Sequence, residues 1–238
     1  MRKYREKGID ADWRPPTERG RELFRIYALA PYTPFFSRAT FDELLGALDL
    51  LDRVSPSLTT TSTTSGSPRV LDVGSKNWAY VGALTAWLRR QHPSRALELT
   101  GVEIAGSRRY WDLTTRETRA RYFAEHASAV SGVQVRFVSR DVRELTGEFD
   151  LVVWLFPYLL EETHRAGGLP ASRFDPVSTF AHVETLLAPS GQLILANQGE
   201  WEWRRVDGLF RKLKLKTQLS CEGSMHASTH PLWLSHWA

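Results

Sequence analysis

At 238 residues and 27.1 kDa, with 42% hydrophobic and 24% charged residues, the chain has the make-up of one globular domain with a small appendage. That composition excludes a collagen-like, disordered or low-complexity protein, and no run reaches the roughly 18 apolar residues of a membrane span. The formal charge of +4 is the balance of 31 basic residues, 25 Arg and six Lys, against 27 acidic ones interspersed among them, which reads as solvated helix faces before it reads as a nucleic-acid track.

The start, MRKYREKGID, is basic but leads into no apolar stretch, so a secretory signal is not expected. Cys221 is the only cysteine, which rules out an internal disulfide and a cysteine-based zinc site. A reducing cytoplasm is the expected setting.

Residues 17 to 54 carry helical periodicity. Thr17 before Glu18 suits a helix start, and Leu23, Phe24, Tyr27 and Ala28 form an apolar stripe. After PYTP, Phe41, Leu44, Leu45, Leu48 and Leu51 recur at helical spacing, with Thr40 expected as the cap. The Ser/Thr tract that follows ends at Pro68 and has the composition of a flexible linker. The expected organisation is a helical cap over residues 1–54, a linker over 55–68, and a main body over 69–238 to which the cap is loosely joined.

From Arg69 short β-rich runs alternate with helical ones. Strands are expected at 69–73, 96–104, 133–139, 149–156 and 191–197. Helices are expected at 78–91, over about 107–130, at 174–187 and at 201–213. Two further strands, 213–220 and 231–237, are joined without a helix, so one of them should run antiparallel. The fold class is α/β: a three-layer Rossmann-like fold with a mostly parallel seven-stranded sheet, an antiparallel last strand and N-terminal helices.

In such a sheet a ligand sits beyond the carboxyl ends of the strands. The first strand carries Asp72 near its end and is followed by Gly74, Ser75, Lys76, Asn77 and Trp78, a tight loop whose backbone N–H groups and following helix N-terminus suit an anion. The second strand ends in Glu103, the third is followed by Asp141, the fourth runs into WLFPYLL and the fifth into NQGE. Tyr158 and Glu200, after strands four and five, are the candidate general bases. Trp154 is expected to pack the wall of the site. His226 and His230 share an i, i+4 spacing in a Ser/Thr-rich turn, which reads as a turn before it reads as a metal pair, and Cys221 reads as inert packing.

VLDVGS in the first loop, an acid closing the second strand, an Asp after the third, FDLVVW in the fourth and LLAPSGQLIL before the fifth resemble the Rossmann-like, class I S-adenosylmethionine-dependent methyltransferases over about residues 69 to 238. The acid inside the first strand separates this pattern from nicotinamide dehydrogenases, which carry a fuller G-x-G-x-x-G. The resemblance implies that Asp72, Gly74 and Ser75 hold the methionine end of S-adenosyl-L-methionine, and Lys76 and Asn77, next in the loop, are further cofactor-binding candidates by position. It further implies that Glu103 binds the ribose and Asp141 the adenine amino group. Where that family reads D-x-G-x-G-x-G, this loop has Lys76 and Trp78 in place of the second and third glycines. A rearranged loop or weakened binding is therefore expected, with Lys76 placed to meet the cofactor carboxylate. The Asp/Asn-Pro-Pro-aromatic signature is not met, since Leu155 and Phe156 precede Pro157.

The implied activity is methyl transfer to an unidentified acceptor, a small molecule before a nucleic acid, with no metal and no membrane partner expected. The alternatives are a catalytically silent methyltransferase-like binding or scaffold protein and a nucleic-acid-modifying enzyme. The oligomeric state and the acceptor are not legible in the sequence.

Overall fold

A computed structural model describes residues 4–53, 67–198, 200–213, 219–224 and 231–237. The expected linker, 55–68, therefore lies outside the described residues except at its last two positions.

Helix α1 (Glu18–Ile26) begins where expected: the Thr17 hydroxyl accepts from the Gly20 N–H at 3.1 Å, which satisfies one of the free donors of the first turn. Helix α2 (Arg38–Leu51) is capped by Ser37, whose Oγ accepts from the Thr40 N–H at 3.3 Å. Thr40 is thus the third helical residue rather than the cap, and its hydroxyl donates to Glu6.

Strand β1 (Arg69–Val73) is followed by α3 (Val81–Gln91), β2 (Glu98–Val102), α4 (Arg116–Ser131), β3 (Gln134–Val138) and β4 (Phe149–Leu155). Next come α5 (Glu161–Ala166), α6 (Pro176–Thr185), β5 (Leu187–Gln198) and α7 (Glu200–Leu213). Five parallel strands in the order β3-β2-β1-β4-β5 form the body of the sheet. The backbone of β6 (Leu219–Ser224) and β7 (Pro231–Trp237) extends it beyond β5, with β7 antiparallel to both neighbours.

Alternation along the strands divides the core into two layers, as a period of two requires. Val70, Leu99, Leu151, Val153, Ile194 and Ala196 pack with residues of α1 to α4, whereas Leu71, Val73, Val152, Trp154, Leu193 and Leu195 pack with α6 and α7. Leu23, Phe41, Leu44, Leu48 and Leu51 lie in the first of these layers beside Leu84, Trp87 and Phe123. The N-terminal helices therefore share one continuous core with α3 and α4, which corrects the expectation of a loosely joined cap. A solvent-facing cap could not bury so much apolar surface by itself.

Two helix starts move toward the carboxyl terminus. Helix α3 begins at Val81 rather than residue 78, because Lys76 and Trp78 have left-handed backbone angles that no helix can include. Helix α4 begins at Arg116, and residues 108–115 form a small hairpin closed by a bridge between Arg109 and Thr115. Gly132, at φ +69°, ends α4 in the left-handed conformation that suits glycine.

Candidate cofactor and active site

The carboxyl ends of β1 to β4 open on one cavity of about 110 Å³. Gly74 and Lys76 line it from the first loop, Glu103 and Ile104 from the end of β2, Asp141 to Arg143 from the end of β3, and Trp154 to Tyr158 from β4. The segment from His164 to Phe180 covers it. This is the edge on which open α/β sheets bind ligands.

The first loop departs in sequence from the glycine pattern but not in backbone. Gly74, Lys76 and Trp78, the three alternate positions, have φ of +71°, +52° and +57°. For a non-glycine residue this region costs roughly 1–2 kcal/mol, so both substitutions need a compensating contact or a use. Trp78 has the contact. Its side chain is wholly buried beneath the loop, 6.0 Å between ring centroids from Phe137, and occupies the space that a Cβ at Gly101 would fill, 2.6 Å from the Trp78 ring. The glycine that permits close packing thus sits on β2 instead of in the loop. Lys76 is exposed and has no such packing; its ammonium lies 5.9 Å from the Tyr158 ring centroid, facing the cover.

The loop amides, expected to face an anion, are mostly bonded within the protein. The Gly74 and Ser75 N–H groups donate to Val102 O at 2.9 and 3.2 Å, and the Lys76 N–H donates to Glu103 Oε2 at 2.9 Å. Ser75 is buried and its hydroxyl also donates to Val102 O, so it ties the loop to β2. Gly74, Lys76, Glu103 and Asp141 line the cavity, whereas Ser75, Asn77 and Asp72 lie outside its lining.

Asp72 lies in β1 and is fully buried, and Tyr80 donates to its Oδ2 at 2.8 Å. Burial pushes its carboxyl up to about 7, against the lowering effect of the Tyr80 hydroxyl. Glu103 is also buried, but it accepts three hydrogen bonds. Its Oε1 takes the Ala105 N–H at 2.8 Å and the Arg116 guanidinium at 3.1 Å, in addition to the Lys76 bond on Oε2. Arg116 is the ion-pair partner of Glu103, at 3.1 Å. Arg116 also donates to Gly167 O in the cover at 3.0 Å, and Arg108 donates to the same carbonyl.

Asp141 starts a short 3-10 turn, accepting from the Arg143 N–H at 3.0 Å. Burial would raise its carboxyl, but hydrogen bonds from Arg143 and the charges of Arg143 and Arg173 outweigh burial and hold it below the ordinary value. Trp154 stacks on Phe180 at 4.5 Å and forms a cavity wall as expected, and Tyr158 lines the cavity edge-on to His164. Glu200 opens α7, but its side chain, those of Cys221 and of strand β7, and residues His226 and His230 lie outside the described side chains. Among the described residues no group of three or more His, Cys, Asp or Glu could hold a metal ion. No described helix is long and apolar enough to cross a membrane.

Arg116, Arg143, Arg173 and Tyr80 shape the site and were not singled out from the sequence.

The fold is that of the class I S-adenosylmethionine-dependent methyltransferases, the proteins whose solved structures it resembles at low sequence identity. Magnesium protoporphyrin IX methyltransferase from Synechocystis PCC 6803, solved with bound S-adenosylmethionine, matches with a TM-score of 0.52 and 14% identity over 92% of this chain and 95% of that one. An S-adenosylmethionine-dependent methyltransferase from Leishmania major matches with a TM-score of 0.51 and 12% identity over 91% and 82%. No protein-family model matches the sequence, and neither does any curated protein.

Proposed function

We propose that this protein binds S-adenosyl-L-methionine in the cavity above β1 to β4 and transfers its methyl group to a small-molecule acceptor. The observation that carries this reading is the first loop, which keeps left-handed backbone at three alternate positions although two of them are not glycine. Backbone of that kind costs free energy and is retained where a site needs it.

The residues present fit such a ligand. Gly74 leaves open space at the loop, with Trp154 Nε1 still 3.7 Å from where a Cβ would stand. Lys76 supplies a cation for the methionine carboxylate, the more needed because the neighbouring amides are spent on Val102 and Glu103. Glu103 would hold the ribose hydroxyls and Asp141 the adenine amino group, with Ile104 and Val142 as apolar flanks for the ring. When bound, the cofactor supplies an electrophilic methyl group on a sulfonium. The chain's own part is to align the acceptor and exclude water, and the cover residues Tyr158, Leu169 and Phe174 are placed to do both. The Tyr158 phenol, at the cavity, is the described group placed to take a proton from an acceptor.

The alternative, a silent methyltransferase-like binding protein, draws on two observations. The cavity of about 110 Å³ is below the roughly 300–1,000 Å³ usual for ligand pockets. Glu103 and Asp141 are also already paired with arginines. Calorimetric titration with S-adenosylhomocysteine separates the two readings. Binding by the wild type, weakened about tenfold or more in Glu103→Gln, is expected, since tenfold is about 1.4 kcal/mol. Absence of binding by the folded wild type overturns the proposal.

A further inference from the structure

Among the described residues the exposed large hydrophobic side chains are Trp111 at 93%, Leu113 at 76% and Trp201 at 49%. The first two stand together at the tip of the 108–115 hairpin. There the Tyr110 N–H donates to Thr114 O at 2.8 Å and the Leu113 N–H to Tyr110 O at 3.0 Å. Leu113 has φ +65°, in a tight hairpin turn where glycine is the usual occupant. Its left-handed backbone is unfavourable and its side chain gains no packing, while Trp111 buries almost nothing. Neither residue helps the fold.

The tip is nevertheless held rigidly. The Asp112 carboxylate accepts from the Thr114 N–H and hydroxyl at 3.0 and 2.6 Å, and from Arg119 at 3.0 Å. The Arg119 guanidinium lies 3.7 Å from the Tyr110 ring centroid and 4.8 Å from that of Tyr4, which ties the N-terminal segment to the hairpin. In that segment Tyr4 and Glu6 bond inward, to each other and to Ser37 and Thr40, so Arg5 and Lys7 are left exposed. Arg109 is exposed as well. The one acid of the tip, Asp112, is neutralised by Arg119.

We propose that this hairpin tip, with the basic N-terminal segment beside it, docks the protein on an anionic lipid bilayer. Tryptophan and leucine on a rigid tip suit insertion at the boundary between headgroups and acyl chains, and the flanking bases suit anionic headgroups. A single-stranded nucleic acid could stack on Trp111, but Leu113 has no aromatic face to offer a base. Arg108, at the base of the hairpin, donates to Gly167 O in the cover. The inference does not depend on cofactor binding.

Co-sedimentation of the full chain with phosphatidylcholine vesicles, with and without phosphatidylglycerol, tests it. The wild type should pellet with the phosphatidylglycerol-containing vesicles and remain in solution with phosphatidylcholine alone. Trp111→Ser should weaken that binding about tenfold through lost apolar insertion. Leu113→Gly should weaken it also while raising the melting temperature, because glycine relieves the left-handed strain; that combination excludes misfolding as the cause. Arg5→Glu with Lys7→Glu should weaken it further and flatten its dependence on salt. No pelleting of the wild type, or wild-type binding by both tip variants, overturns the proposal. So does Trp111-dependent binding of single-stranded RNA in the absence of vesicle binding.

Discussion

Restoring glycine at position 78 should damage this protein. Trp78→Gly removes a wholly buried indole, a loss of about 3–5 kcal/mol for a large aromatic in a core. Relief of the left-handed backbone returns about 1–2 kcal/mol, and the greater freedom of glycine in the unfolded chain takes back about 0.5–1 kcal/mol. The net loss is about 3 kcal/mol, or about 10 °C in melting temperature for a chain of this size. The reasoning is tested most sharply by pairing the change with Gly101→Ala. In the wild type the new methyl group would stand 2.6 Å from the Trp78 ring, an overpacking that costs about 1–3 kcal/mol. In the Trp78→Gly background that space is vacant and the same methyl should be neutral or stabilising. Urea unfolding of the four proteins gives the coupling, expected at about 1–3 kcal/mol. If Gly101→Ala destabilises both backgrounds equally, Trp78 is not packed over β2 and this account of the altered loop is wrong.

Lys76→Gly should hold or raise the melting temperature, because an exposed left-handed lysine is replaced by the residue that prefers that conformation. Lys76→Met should leave stability near the wild-type value and weaken S-adenosylhomocysteine about tenfold or more, through loss of a charge-assisted hydrogen bond worth roughly 1.5–3 kcal/mol; unchanged affinity by calorimetry would refute a role for its charge. Glu103→Gln should lower the melting temperature even without ligand. Its amide N–H₂ must face either the Lys76 N–H or the Ala105 N–H and Arg116, at a cost of about 1–3 kcal/mol. Asp72 gives a pH test. The folded protein keeps its proton up to about pH 7 whereas an unfolded aspartate releases it near 3.8, so the stability this proton contributes is complete below 3.8 and lost as pH rises to about 7. The stability of Asp72→Asn relative to wild type should therefore grow by up to about 4 kcal/mol across that interval and level off above it. A difference independent of pH, measured by urea unfolding at pH 5 and pH 8, would count against the buried, raised carboxyl.

The order of elements was legible in the sequence because it is written in local periodicity. Apolar runs such as VLDV and LVVW, alternating with helical stripes, specify strands buried on both faces, and that pattern needs no knowledge of neighbours. The same logic placed Gly74, Lys76, Glu103 and Asp141 at one edge, since parallel strands bring their carboxyl ends together. Long-range pairing decided the rest. Arg116 meets Glu103 across 13 positions of sequence and Gly167 across 51, partnerships that spacing along one element cannot reveal. The hairpin at 108–115 overrode a helical reading of its residues because Arg109 pairs with Thr115 and Arg119 packs on Tyr110. Trp78 read locally as a bulky intruder in a glycine loop; only the space left by Gly101 on the adjacent strand shows where its ring goes. Local chemistry in the sequence thus determined the sheet and the edge that carries the site, while tertiary packing decided which side chains are already engaged there and how the loop accommodates two residues that are not glycine.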